Sequence, residues 1–207
     1  RSLADWAAAR GPLDAASLLA LLGQLIAAVR ALQRRGMQGL WLSPRQILLG
    51  ADGRLLLLPE QAARLPGVER QPLPADAVPL APELRTGQPV DGRADQFAMA
   101  ALAYWLLAGQ WPEVARPDAA PNSRYRPLAL AHARLPRGWD GVLARALAPL
   151  PEGRFEALSE FQQALEQPLQ QAPGRHCERF WALRWQLVAL GVLGLQLAVG
   201  LWLMLIG

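Results

Sequence analysis

The stretch "GLWLSPRQILLGADGRLLLLPEQAARL", residues 39–65, decides the reading of this chain. Two short apolar runs, Ile47–Leu49 and Leu55–Leu58, flank an Asp52-Gly53 pair. Asp-Gly between apolar runs is a strong turn signal, so a small hairpin is predicted over 47–58. Upstream, residues 1–35 read as helix. Leu18, Leu21, Leu22, Leu25, Val29 and Leu32 recur at three- and four-residue steps, Asp14 can cap the helix, and Gly36 stops it.

Downstream, residues 59–82 read as a loop. Pro59, Pro66, Pro72, Pro74, Pro79 and Pro82 cannot share a helix or a central strand. A helix is predicted from about Asp95 to Ala108, ended by Gly109. Residues 110–137 carry Pro112, Pro117, Pro121, Pro127 and Pro136 and read as loop-rich. Two more helices follow, near 138–148 and 156–170. The final stretch, "LVALGVLGLQLAVGLWLMLI" at 187–206, has twenty residues, no charge and one Gln. At 1.5 Å per residue it is about 30 Å long as a helix, matching a bilayer's hydrocarbon core. Trp181, Trp185 and Trp202 lie near its ends, as interfacial aromatics do.

Composition narrows the function classes. Hydrophobic residues make up 52% of the chain, and the excess sits at the C-terminus. All 21 basic residues are Arg, so no Lys is available as a point-charge phosphate binder. The charges are scattered, without a basic stripe interleaved with aromatics, which argues against a nucleic-acid partner. The single cysteine, Cys177, excludes an internal disulfide or a cysteine-cluster metal site, and with His176 it reads as a plain juxtamembrane pair. The chain begins at Arg1, which reads as a piece of a longer protein, and its start shows no signal peptide.

Four segments in order carry a resemblance. "SLADWAAARGPL" resembles the helix after the hinge of a protein kinase. "LQRRGMQGLWLSPRQILL" resembles the end of the next helix plus the catalytic loop, whose family pattern is L-H-x-x-G-I-V-H-R-D-L-K-P-x-N-I-L-L. "APELRTGQPVDGRADQFAMAALAYWLLAGQWP" resembles the A-P-E segment and the long central helix. "ARALAPLPEGRFEALSEFQQAL" resembles the closing helices with their P-x-x-R-F element. The chain thus resembles the C-terminal lobe of a bacterial, membrane-anchored Ser/Thr protein kinase. The expected fold is mainly α, a protein-kinase-like C-lobe with a short β-hairpin plus one C-terminal transmembrane helix. The expected divisions are a lobe at 1–170, a juxtamembrane linker at 171–186 and a transmembrane helix at 187–206.

Compared position by position, the resemblance implies a loss of chemistry. Trp41 stands where the family has its catalytic Asp, and Gly39 and Leu40 replace its His and Arg. Ser43 replaces the loop Lys, and Gln46 replaces the metal-binding Asn. Pro59-Glu60-Gln61 replaces the Asp-Phe-Gly triplet, so Pro59 takes the place of the magnesium-holding Asp. Glu60 is one residue out of step, and in an extended segment it faces the other way. Structural positions survive: Pro44, Ala81-Pro82-Glu83, Arg154 where the family's late Arg pairs with that Glu, and Asp95 at the start of the central helix, where it can cap N–H groups. From Glu60 through Pro82 there is no Ser, Thr or Tyr, so a phosphorylation switch in this segment has no hydroxyl to use.

The resemblance therefore implies a membrane-tethered pseudokinase, a regulatory or binding module in Ser/Thr phosphorylation signalling, with no catalytic residue and no metal site. ATP and magnesium are expected to bind only weakly, adenine against Leu48 and the metal at the Gln46 amide. Two alternatives stay open: an ATP-dependent Ser/Thr kinase with atypical catalytic residues, including as part of a kinase/phosphatase fusion, and a membrane-anchored interaction scaffold outside kinase biology. The expected partners are the membrane, crossed once, and an unidentified protein, with a phosphatase domain or a kinase N-lobe upstream in the same chain as candidates. The expected location is the bacterial inner (cytoplasmic) membrane, with the lobe in the cytoplasm.

Overall fold

A computed structural model describes residues 1–58, 62–64, 78–116, 118–119, 123–128 and 135–170. Backbone contacts divide the chain into two units, Arg1–Leu169 and Gln170–Gly207. The transmembrane segment predicted at 187–206, the linker at 171–186 and the His176–Cys177 pair lie outside the described residues.

The helix predicted over 1–35 is two helices. α1 spans Leu3–Arg10 and α2 spans Ala15–Gln33. Gly11 at φ 77° ends α1, and Pro12 cannot donate to a continuing ladder. Each helix has its own cap: Ser2 accepts from the Asp5 N–H, and Asp14 from the Ser17 N–H. Among the described residues α2 is the one helix long and apolar enough to cross a membrane. Its apolar face is used within the lobe, however. Leu18, Leu21, Leu22, Leu25, Ile26 and Val29 are buried, while Gln24, Ala27 and Arg30 face out. Full burial of each such large side chain is worth about 1.5–3 kcal/mol.

β2 (Ile47–Leu49) and β3 (Leu55–Leu57) pair antiparallel around the Asp52-Gly53 turn, with Leu48 opposite Leu56. A second two-stranded sheet joins β1 (Gln38–Leu40) to β4 (Ala62–Arg64), so the segment from 59 to 82 is not loop throughout. A short α3, Pro82–Thr86, follows, with proline in its first turn, where no N–H is required.

α4 runs Gly92–Ala108, and thirteen of its residues are buried. A helix that is apolar nearly all round belongs in the interior. α2 packs on one side of it and α5 (Trp139–Ala146) on another. α6 (Leu158–Gln170) closes the lobe with Leu158, Phe161 and Leu165, and its Leu165 carbonyl accepts from the Trp139 indole N–H at 2.9 Å.

Candidate functional site

The chain from Leu40 to Gln46 leaves the end of β1 and enters β2, and three contacts hold its backbone. The Leu40 N–H donates to Asp95 Oδ1 at 2.6 Å. The Pro44 carbonyl accepts from the Ala4 N–H at 3.1 Å, tying the loop to α1. The Gln46 carbonyl accepts from the Leu58 N–H at 2.9 Å, tying it to the end of the hairpin. Leu42 is fully buried beneath the loop, and Ser43 and Gln46 are buried as well.

Asp95 requires a correction. It does not cap its own helix, because α4 begins three residues earlier and Asp91 caps it by accepting from the Arg93 N–H at 2.8 Å. Asp95 sits on the inner face of the first turn, fully buried. Besides the Leu40 N–H it accepts from Gln33 Nε2 at 2.7 Å. Burial pushes its carboxyl up to about 7, against the opposing hydrogen bonds from Gln33 and from the Leu40 and Gly39 amides.

The side chains at the chemical positions form a defined set. The Trp41 indole is half-buried, and its Nε1–H donates to the Val78 carbonyl at 3.4 Å. The ring nitrogen is a donor only and cannot accept a proton from a substrate hydroxyl. Ser43 Oγ accepts from the Arg45 N–H at 3.4 Å. Leu48 lies half-buried on β2, opposite Leu56, which is 58% exposed. Pro59, with Glu60 and Gln61, lies outside the described residues. The loop from 41 to 46 thus carries an indole, a hydroxyl, a guanidinium and an amide, without a carboxylate. Among the described residues this loop therefore offers no carboxylate to a magnesium ion, which is commonly held through carboxylates and phosphate oxygens. Among the described residues no three His, Cys, Asp or Glu side chains cluster as a metal site.

Glu83 and Arg154 meet away from this loop. Arg154 grips Glu83 through both terminal nitrogens, at 2.6 and 2.8 Å, and the side chains are 0% and 2% exposed. The same guanidinium donates to the carbonyls of Ala148 (2.8 Å), Pro149 (3.1 Å) and Arg93 (3.0 Å), and lies over the Phe97 ring. The first turn of α4 therefore joins two anchors, with Arg93 receiving Arg154 and Asp95 receiving the loop. Sequence reasoning missed Gln33, the Val78 carbonyl and Gln96, which exchanges two 3.0 Å bonds with the Phe155 backbone. Only the capping role of Asp91 had a local signal, an Asp ahead of a helical run that turns apolar from Phe97.

A helical lobe with this central helix, a hairpin-flanked loop at its upper edge and a buried Glu–Arg pair is the C-terminal lobe of a protein-kinase-like fold. Relatives bear this out. The chain is 35% identical over 164 residues to the serine/threonine-protein kinase PknI of Mycobacterium tuberculosis, a match covering 75% of this chain and 25% of the relative. It is 30% identical over 176 residues to the serine/threonine-protein kinase Pkn1 of Myxococcus xanthus, covering 75% of this chain and 24% of that protein. The crystal structure of the M. tuberculosis PknI kinase domain superposes with a TM-score of 0.64 at 30% identity, covering 81% of this chain and 62% of that domain. No protein-family model matches the chain. It belongs to the bacterial Ser/Thr protein kinase-like family and spans about a quarter of the length of the curated relatives it matches.

Proposed function

We propose that this lobe is a pseudokinase, a binding or regulatory module in Ser/Thr phosphorylation signalling, tethered to the bacterial inner membrane by residues 187–206 with the lobe in the cytoplasm. The observation that carries the reading is Trp41. The loop keeps its Asp95 anchor at 2.6 Å, yet presents an indole at the position of the family's base. Loss of a positioned base alone costs about 10²–10⁴ in rate. Replacement of the metal-holding positions by Gln46 and Pro59 removes the larger electrostatic contribution. The relatives' names favour phosphoryl transfer; the residues at 41, 46 and 59 oppose it. ATP retains only the apolar surface near Leu48, with little dependence on magnesium. The tether rests on the uncharged twenty-residue run at 187–206, and the orientation on Arg175, Arg179 and Arg184 at its N-terminal flank.

The test incubates the full-length protein with labelled ATP, magnesium or manganese, and a general protein substrate. The expected result is no label above background. Robust labelling that disappears in Gln46→Ala would overturn the reading and make Gln46 a metal ligand. Activity recovered in Trp41→Asp/Pro59→Asp would show a frame built for transfer that has lost only its chemistry.

A further inference from the structure

A cleft of about 370 Å³ opens between α3, the turn at Glu113–Ala115 and the turn at 149–150. Its volume is at the low end for ligand pockets, which run roughly 300–1,000 Å³. None of Trp41, Ser43, Gln46 or Leu48 lines it. Pro82 and Val114 form apolar wall, and Arg85 supplies the charge.

Among the described residues no acidic side chain forms an ion pair with Arg85. Its guanidinium donates to the carbonyls of Arg116 and Val114, which fix its position, while Glu83 and Asp118 act on its charge only through space. The two acidic residues nearest in charge are already engaged. Glu83 is clamped by Arg154, and Asp118 pairs with Arg116 at 3.4 Å. Half-burial penalises the charged form of Arg85 further. A half-buried, pre-positioned guanidinium is well suited to receive a carboxylate, which it can take through two N–H groups.

The second feature is the rim. Pro149 and Leu150 are exposed beside the cleft, Leu150 by 68%. Single exposed leucines are ordinary. This one stands on a turn whose preceding carbonyls, Ala148 and Pro149, are held by the buried Arg154. The side chain is therefore presented by a fixed backbone, which lowers the ordering cost of a contact. A rigid apolar knob next to an unpaired cation matches a short peptide segment better than a nucleotide or a metal.

We propose that this cleft docks a partner polypeptide through a segment that sets a carboxylate on Arg85 and packs an adjacent aliphatic or aromatic side chain on Pro149 and Leu150. The interaction does not depend on whether the lobe transfers phosphate.

The test pans a displayed library of random ten-residue peptides on the full chain in detergent micelles. The Arg85→Gln/Leu150→Ser double variant serves as counter-selection. Recovered peptides should carry Asp or Glu beside a Leu, Ile, Phe or Trp. Their synthetic forms should bind each single variant about tenfold more weakly, the effect of losing one charge-assisted contact or one buried anchor. Leu150→Ser changes an exposed position, so its melting temperature should match the wild type and its binding loss reports the surface alone. Peptides that bind Leu150→Ser as well as wild type would overturn the proposal. So would the absence of any peptide that separates wild type from the double variant, or a selected set that is basic.

Discussion

Replacing Arg154 by Ala should be the most damaging single change outside the apolar core. The side chain is fully buried and has five acceptors: both oxygens of Glu83 and the carbonyls of Ala148, Pro149 and Arg93. Truncation leaves the Glu83 carboxylate buried at 2% exposure without its counter-charge, and leaves three carbonyls without that donor. Removing one partner of a buried pair costs about 3–5 kcal/mol. In a domain of this size each kcal/mol lowers the melting temperature by roughly 2–4 °C, so the expected fall is about 6–20 °C. The lost carbonyl bonds push the effect toward the upper part of that range.

The assay is thermal unfolding of the full chain in detergent, followed by near-ultraviolet circular dichroism, which reports side-chain packing. Glu83→Gln should be milder than Arg154→Ala, because the amide is neutral and still accepts one bond. Glu83→Leu/Arg154→Met should recover part of the loss, since a well-packed apolar replacement of a buried pair is often neutral. A melting temperature for Arg154→Ala within 2 °C of wild type, outside the roughly 6–20 °C expected fall, would refute the assignment of this pair as a structural anchor.

Asp95 should make stability depend on pH. Its folded-state carboxyl is raised from 3.8 to about 7, so the folded chain holds the proton more tightly than the unfolded one. That contribution is fully present below pH 4 and is lost as pH rises through 7; across this window it amounts to at most about 4 kcal/mol. Denaturant midpoints for wild type and Asp95→Asn at pH 5 and pH 8 should therefore diverge toward pH 8, and parallel profiles would contradict this. A periplasmic reporter fused after Gly207 should be active and a cytoplasmic one silent; the reverse would sink the proposed orientation. Gly191, Gly194 and Ala198 share one helical face of the 187–206 span and Gln196 lies on another, so in a membrane two-hybrid assay Gly194→Leu or Gln196→Leu should weaken self-association; a wild-type signal at background would indicate a monomeric anchor.

What was legible in the sequence follows how far apart the interacting residues lie. The β2–β3 hairpin was readable because Asp52-Gly53 and its flanking leucines carry the whole signal within eleven residues of one another. The β1–β4 sheet was not, since three-residue strands separated in the chain by the 41–46 loop and the β2–β3 hairpin carry no period long enough to detect. The break between α1 and α2 was written at Gly11-Pro12, but the strong leucine period beginning at Leu18 drew the reading backward through it. Among polar residues the limit is sharper. Asp91 and Asp95 are four residues apart at the start of one helix, and one caps while the other is buried. What separates them is Gln33 and the Leu40 amide, 62 and 55 positions away in the chain. Helical period cannot encode such a partner. The Glu83–Arg154 contact spans 71 residues and was suggested by resemblance to a family, never by pattern. Arg85 had no family motif to single it out, and so passed unremarked in the sequence. Its candidacy arises only because folding gives Glu83 to Arg154 and Asp118 to Arg116, so that among the described residues no acid pairs with the Arg85 guanidinium beside the exposed Leu150.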